Sequence, residues 1–313
     1  EEEPRSYRET ARGLLAIAIP ITFGSAALQL MTMLETKIYM GQLLNLGYTQ
    51  SSADTMRGVY GMCLTIFNMP CAFITPITIS IIPAITSHLT LCGDDEAKAT
   101  EESAVRITGL VAMPCAFGLA LLAEPVTALL GGYSGGNLAM ATRLMTVLGF
   151  TIIFNALVLV STAIMQAHGH AGRPVINMLI GGVVKIIVNY ILVGQPALNI
   201  IGAPIGTLVC YIAITALDVV AMRRHISARP TIFKNIVRPL IASALMGGAT
   251  FLVYRVLSSR LGSWKLSFLV SLAFAVVLYA VLVVALQCVT YEDCMLLPKG
   301  EKIAKLLKIQ KKS

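Results

Sequence analysis

Apolar and polar positions along this chain separate into long greasy stretches and short charged ones. Eight apolar segments stand out, at roughly 13–36, 58–88, 106–123, 143–166, 174–193, 201–222, 236–257 and 266–288. Most are near the roughly 20 residues a helix needs to cross a bilayer. Polar positions inside them recur every three or four residues, the helical period; a β-barrel would show short alternating segments. The pattern predicts an all-α membrane protein with about eight transmembrane helices. Pro20, Pro70, Pro76, Pro83 and Pro114 lie inside spans. Membrane helices tolerate such prolines where neighbours satisfy the freed carbonyls. Three of them in the second span predict a bent or hinged helix.

The polar positions form stripes. Thr22, Ser25, Gln29, Thr32 and Thr36 share a face of the first span, and Thr151, Asn155, Thr162 and Gln166 share one of the fourth. Thr65, Asn68 and Thr75 align in the second, and Asn177, Lys185 and Asn189 in the fifth. Such stripes either line a shared hydrated cavity or make interhelical hydrogen bonds worth only ~0.6 kcal/mol each. Lys185 tips the balance toward a cavity. It sits mid-span, where a charge costs at least ~2.5–3.5 kcal/mol on insertion scales. With span ends drawn from the apolar runs, Glu35 and Asp218 each lie ~12–13 Å from Lys185 in depth at 1.5 Å per residue. A tight pair is therefore not expected, and an anionic ligand is the better partner for the lysine. Asp218 is assigned to Arg223 or Arg224 near the interface. Glu35 reads as an ion or proton site, or as a surface acid beside Lys37. Arg57, at the outer mouth of the second span, can assist an anion.

Composition sharpens this picture. Charged residues make up 13% of the 313 residues, against roughly 25% in soluble domains. The seven cysteines are odd in number, lack metal-binding spacing, and read as small packing residues. The net charge of +8 is explained by loop distribution, not by nucleic acid: seventeen Lys and Arg fall on one side of the spans and six on the other. The positive-inside rule then places both termini in the cytoplasm of a multi-pass cell-membrane protein. Residues 299–312 put Ile303, Leu306 and Leu307 among lysines, a basic helix for anionic lipid or else a disordered tail. The chain starts Glu-Glu-Glu, which predicts missing upstream sequence. No phosphate loop, HExxH or GxSxG occurs, so neither ATP hydrolysis nor enzyme chemistry is expected, and no cofactor or metal. His168 and His170 read as a plain turn. Gly181, Gly182, Gly202 and Gly206 read as close helix packing.

Three stretches carry a family resemblance: NMPCAFITPITISIIPAITSHL (68–89), AVRITGLVAMPCAFGLALLAEPVTALLGG (104–132) and MQAHGHAGRPVINMLIGGVVKIIVNYILVGQPALNIIGAPIGTLVCY (165–211). They resemble stage V sporulation protein B and its polysaccharide-transporter relatives, in the multidrug/oligosaccharidyl-lipid/polysaccharide exporter superfamily that includes lipid II flippases. The family pattern G-x-x-K-x-x-x-N-Y matches Gly182, Lys185, Asn189 and Tyr190; Glu35, in Leu-Glu-Thr, stands where the family commonly has Asp. The arginine pair that often follows is absent.

The resemblance implies helices seven to fourteen of a fourteen-helix fold, with the N-terminal lobe lacking. Residues 1–12 would be a juxtamembrane segment, 13–222 a six-helix lobe, 223–289 two added helices and 290–313 a basic tail. The implied function is alternating-access export of a lipid-linked oligosaccharide or peptidoglycan precursor, in wall, spore-cortex or polysaccharide synthesis. Lys185, Asn189, Asn177, Asn155, Gln166, Gln29, Asn68 and Arg57 would bind the sugar-diphosphate substrate, with Glu35 or Asp218 coupling an ion. The alternatives are a drug exporter of the same fold and a non-transporting membrane scaffold.

Overall fold

The computed structural model describes residues 29–290. The 1–12 segment, Thr22 and Ser25 of the first stripe, and the basic tail beyond 290 lie outside the described residues. Helix α1 is described over 29–45. It is followed by α2 (Gln50–Leu91), α3 (Asp94–Leu121), the short α4 (Ala123–Gly131), α5 (Gly135–Ala167), α6 (Gly172–Val193), α7 (Gly202–His225), α8 (Ile232–Arg260) and α9 (Trp264–Ala285). No strand occurs among the described residues. Seven helices there are long and apolar enough to cross a membrane: α2, α3, α5, α6, α7 with the 3-10 turn before it, α8 and α9. With α1 in the first predicted span, the all-α expectation is met.

Local signals set the helix ends. Thr49 caps α2 by accepting the Ser52 amide at 3.3 Å. Gly93 turns the chain at φ +97° before Asp94, Asp95 and Glu96, three acids that complement the positive end of α3. α7 ends with Arg223, Arg224 and His225, cations that suit a helix C-terminus. α2 remains one 42-residue helix through Pro70, Pro76 and Pro83.

α5 is the central post: 67% of its most apolar window is buried, against 17% for both α6 and α9. It packs against α2, α3 and α7, whereas α6 leans mainly on α7. One apolar core holds Tyr60, Ile66, Leu144, Leu148 and Ile152. A second holds Ile85, Met113, Ile164, Met165 and Met222, nearer the loops at 92–93, 168–171 and 226–231. Small residues permit the closest crossing: a Cβ on Gly149 would meet the Ala120 backbone nitrogen at 2.6 Å. α8 packs along α3, and α9 is tied to α3 by the Tyr279 hydroxyl, which donates to the Leu110 carbonyl at 2.7 Å. Outward-facing Phe73, Ile79, Leu252 and Val276 are exposed. In lipid, such exposure carries none of the cost it has in water.

Candidate functional site

Four helices, α1, α5, α6 and α7, enclose a cavity of about 340 Å³ whose polar lining includes Thr32, Glu35, Asn155, Lys185, Thr207 and Tyr211. Lys185 reaches it from the middle of α6 and meets a partner there. Its Nζ lies 2.8 Å from Glu35 Oε2, and the Asn189 amide donates to Glu35 Oε1 at 2.9 Å. Both oxygens of the Glu35 carboxylate are thus satisfied, one by a cation and one by a neutral donor. Asn189 is fully buried, one turn beyond Lys185, and its other side-chain atom, Oδ1, abuts Gly206 on α7. A Cβ at 206 would collide with that amide, so a larger residue there must displace Asn189.

This pair corrects the sequence-based depth estimate. Glu35 is not at a helix end: α1 continues to residue 45, so the carboxylate sits well inside the helix. The apolar run stops at 36, but the helix does not. The flexible lysine stem covers the remaining offset.

Asp218 also departs from expectation. It is fully buried, and neither Arg223 nor Arg224 reaches it. Its Oδ1 accepts from the Asn177 amide at 2.7 Å and its Oδ2 lies 2.9 Å from the Ser161 hydroxyl. Asp218 therefore joins α6 to α5 through α7, at a place where α5 and α6 scarcely touch each other. The reason is rotational: arginines five and six residues on point elsewhere around the helix and out toward the chain end.

The remaining predicted residues divide. Asn155 lines the cavity and donates to the Cys71 sulfur at 2.9 Å. Asn177 is drawn to Asp218 instead. Gln29, Asn68, Gln166 and Arg57 are exposed and do not line the cavity. The α2 stripe takes no part: Thr65 and Thr75 donate to the carbonyls of Gly61 and Cys71 in their own helix. Its place is taken by α7, on which sequence reasoning singled out Asp218 but not the polar stripe it belongs to. Thr207, Tyr211, Thr215 and Asp218 recur at spacings of 4, 4 and 3, the same helical signal used elsewhere. Thr207 also contacts the buried Tyr60 hydroxyl at 3.2 Å. The glycine reading holds: Gly181 abuts Ile214, and Gly202 abuts Leu192 and Val193.

The histidine turn is more than a turn. His168 Nε2 lies 2.6 Å from Glu101 Oε1, and His170 packs edge-on to His225 with ring centres 5.0 Å apart. These contacts clamp the α5–α6 loop to α3 and α7. The six described cysteines are free, and the described residues hold no cluster of metal-binding side chains.

Comparison with known proteins gives the family of this chain. The family model described as "Lipid II flippase MurJ" matches residues 2–287. The chain belongs to the MurJ lipid II flippase family. Membrane protein YabM of Bacillus subtilis (strain 168), itself uncharacterised, is 23% identical over 96% of this chain and 56% of its own length. Lipid II flippase MurJ of the same organism is 22% identical over 85% of this chain and 47% of its own. The chain thus spans about half the length of these curated relatives. Among solved structures, lipid II flippase MurJ in an inward closed conformation superposes with a TM-score of 0.63 at 12% identity, covering 90% of this chain and 56% of that one. A transporter of the MOP superfamily from Pyrococcus furiosus Vc1 gives 0.57 at 15%, covering 93% and 68%. At these identities the structures establish the fold, and the superfamily inferred from the sequence motifs stands.

Proposed function

We propose that this chain forms the C-terminal half of a flippase that carries a lipid-linked oligosaccharide or peptidoglycan precursor across the cytoplasmic membrane. The family match supports the class of cargo. The carrying observation is the Lys185–Glu35 pair inside a polar cavity. In the observed state Lys185 is neutralised by Glu35. An entering sugar-diphosphate competes for the ammonium, and the exchange releases Glu35 and loosens α1 from α6. Charge attraction is stronger in such a site than in water. Asn155 and Thr207 are placed to hydrogen-bond sugar or water.

The rest of the machine follows from the same reading. A second six-helix lobe completes the cavity, and the two lobes rock to open it alternately to either side. Helices α1 to α7 form the C-terminal lobe, and α8 and α9 are the added pair. The loops at 92–93, 168–171 and 226–231 face the cytoplasm. Coupling is assigned to a proton at Asp218, the buried acid held only by neutral donors, because burying an unpaired carboxylate is costly.

The test is flipping of a polyprenyl-diphosphate-linked sugar by the intact protein in vesicles. Lys185→Ala should abolish flipping, and abolish complementation of a flippase-deficient strain, at normal expression. Wild-type flipping by that variant refutes the proposed exchange.

A further inference from the structure

A second cavity, of about 500 Å³ and so larger than the polar one, is basic and lies at the α7–α8 turn. Four cations line it: Lys98 from α3, Arg223 at the end of α7, Arg229 in the connecting loop and Lys234 in the first turn of α8. No carboxylate lines it. Among the described residues none of the four makes a salt bridge. Glu102, outside the lining, accepts from the Thr231 amide at 3.1 Å and its hydroxyl at 2.7 Å and also feels the charge of Lys98, which leaves Arg223, Arg229 and Lys234 as the cations without an acid beside them.

The cavity is preformed. Ile226, Pro230 and Ile232 anchor the loop by burial, and Arg229 Nη1 donates to the Arg223 carbonyl at 3.4 Å, folding that side chain over the α7 terminus. The 29-residue α8 starts at its rim. The amides of Phe233 and Lys234 have no acceptor among the described residues. Free amides and the helix dipole favour an anion at that end, and arginine favours a phosphate.

Apolar groups decide what kind of phosphate. Val219, Met222, Ile232 and Phe233 share the wall with the cations. From Phe233 on its wall, Val237 and Ile241 continue at four-residue spacing along α8, all three exposed, and Val220 on α7 is exposed as well. A free anion has no use for that surface, whereas an acyl chain does.

We infer that the basic cavity formed by Lys98, Arg223, Arg229 and Lys234 holds the phosphate headgroup of an anionic membrane phospholipid, with its chains along α7 and α8. This site is separate from the Lys185 cavity, and the inference stands whether or not the chain flips a sugar lipid. Basic pockets between membrane helices suit anionic headgroups, while a zwitterionic lipid offers no net charge. A bound lipid there bridges α3, α7 and α8 and sets the angle of the added helices.

The intact protein, in nanodiscs mixing phosphatidylglycerol with phosphatidylcholine, provides the test. Lipid retained after purification is counted by native mass spectrometry. The triple variant R223Q/R229Q/K234Q alters only exposed side chains, so its unfolding temperature should stay at the wild-type value. Its phosphatidylglycerol retention should fall by about tenfold or more. The control R255Q/R260Q/K265Q removes the same charge at the opposite helix ends and should retain lipid normally. The single variant Lys234→Glu should act in the direction of the triple. Equal loss in the control, or no loss in the triple, overturns the site. Displacement of the lipid by millimolar inorganic phosphate overturns the lipid assignment in favour of a free anion.

Discussion

Three described carboxylates are buried, Glu35, Glu101 and Asp218; Glu101 meets His168, and the two that engage α6 are held in different ways. Glu35 is held by an ammonium and an amide; Asp218 is held by a hydroxyl and an amide, with no cation. Both tie α6 to a neighbour: Glu35 to α1, and Asp218 to α7 and through Ser161 to α5. A buried ion pair resists the loss of either partner, because the survivor is left charged in a poor solvent. A buried acid among neutral donors has no charged partner to strand. On the proposed function, the Glu35 tie would respond to an anion that competes for Lys185, and the Asp218 tie to a proton. The two ties thus differ in chemistry, one ionic and one neutral.

The sharpest way to break this contrast is to remove Lys185. Lys185→Met should destabilise the intact protein by about 3–5 kcal/mol, since it strands Glu35. The double change with Glu35→Gln should recover most of that loss, while flipping remains absent. Additive losses in detergent unfolding would show that the pair is not coupled. Next in size is Gly206→Ala, which pushes the new Cβ into the Asn189 amide and through it disturbs Glu35. Overpacking of this kind costs about 1–3 kcal/mol, and the same unfolding assay should show it.

Asp218→Asn should cost under about 1 kcal/mol, because both neutral contacts can be kept by an amide. A transport assay with an imposed pH gradient should nonetheless lose its gradient dependence. If this variant unfolds as readily as the one lacking Lys185, the two acids are not of different kinds. The smallest effect belongs to the α2 stripe. Thr65→Ala removes only an exposed hydroxyl bonded within its own helix. Stability should stay within about 0.5 kcal/mol and flipping at the wild-type level.

How far the site was readable depends on helix ends and rotations. The stripe rule found Asn155 and placed Lys185 and Asn189 on one face, since side-chain direction follows from spacing alone. It also admitted Asn68 and Thr65, because spacing does not say which face meets a neighbour. It passed over Thr207, Tyr211 and Thr215 of α7, which obey the same rule with Asp218 but stand among apolar residues. Asp218 was matched to Arg223 and Arg224 by nearness in sequence. Its true partners, Ser161 and Asn177, lie 57 and 41 residues away. His168 likewise found Glu101, 67 residues distant.

The amino-acid sequence alone determined the solvent and the class of structure. Long apolar runs require lipid around them, and in lipid every backbone amide must be satisfied within its own helix, so the helices follow from composition and period. It also determined that a charge at Lys185 needs an answer. Tertiary structure alone decided what the answer is. Lipid does not drive one helix against another as water does, so partners are chosen by fit and hydrogen bonding. The fit of Asn189 over Gly206, and the extension of α1 past its apolar run, bring Glu35 rather than Asp218 to the lysine.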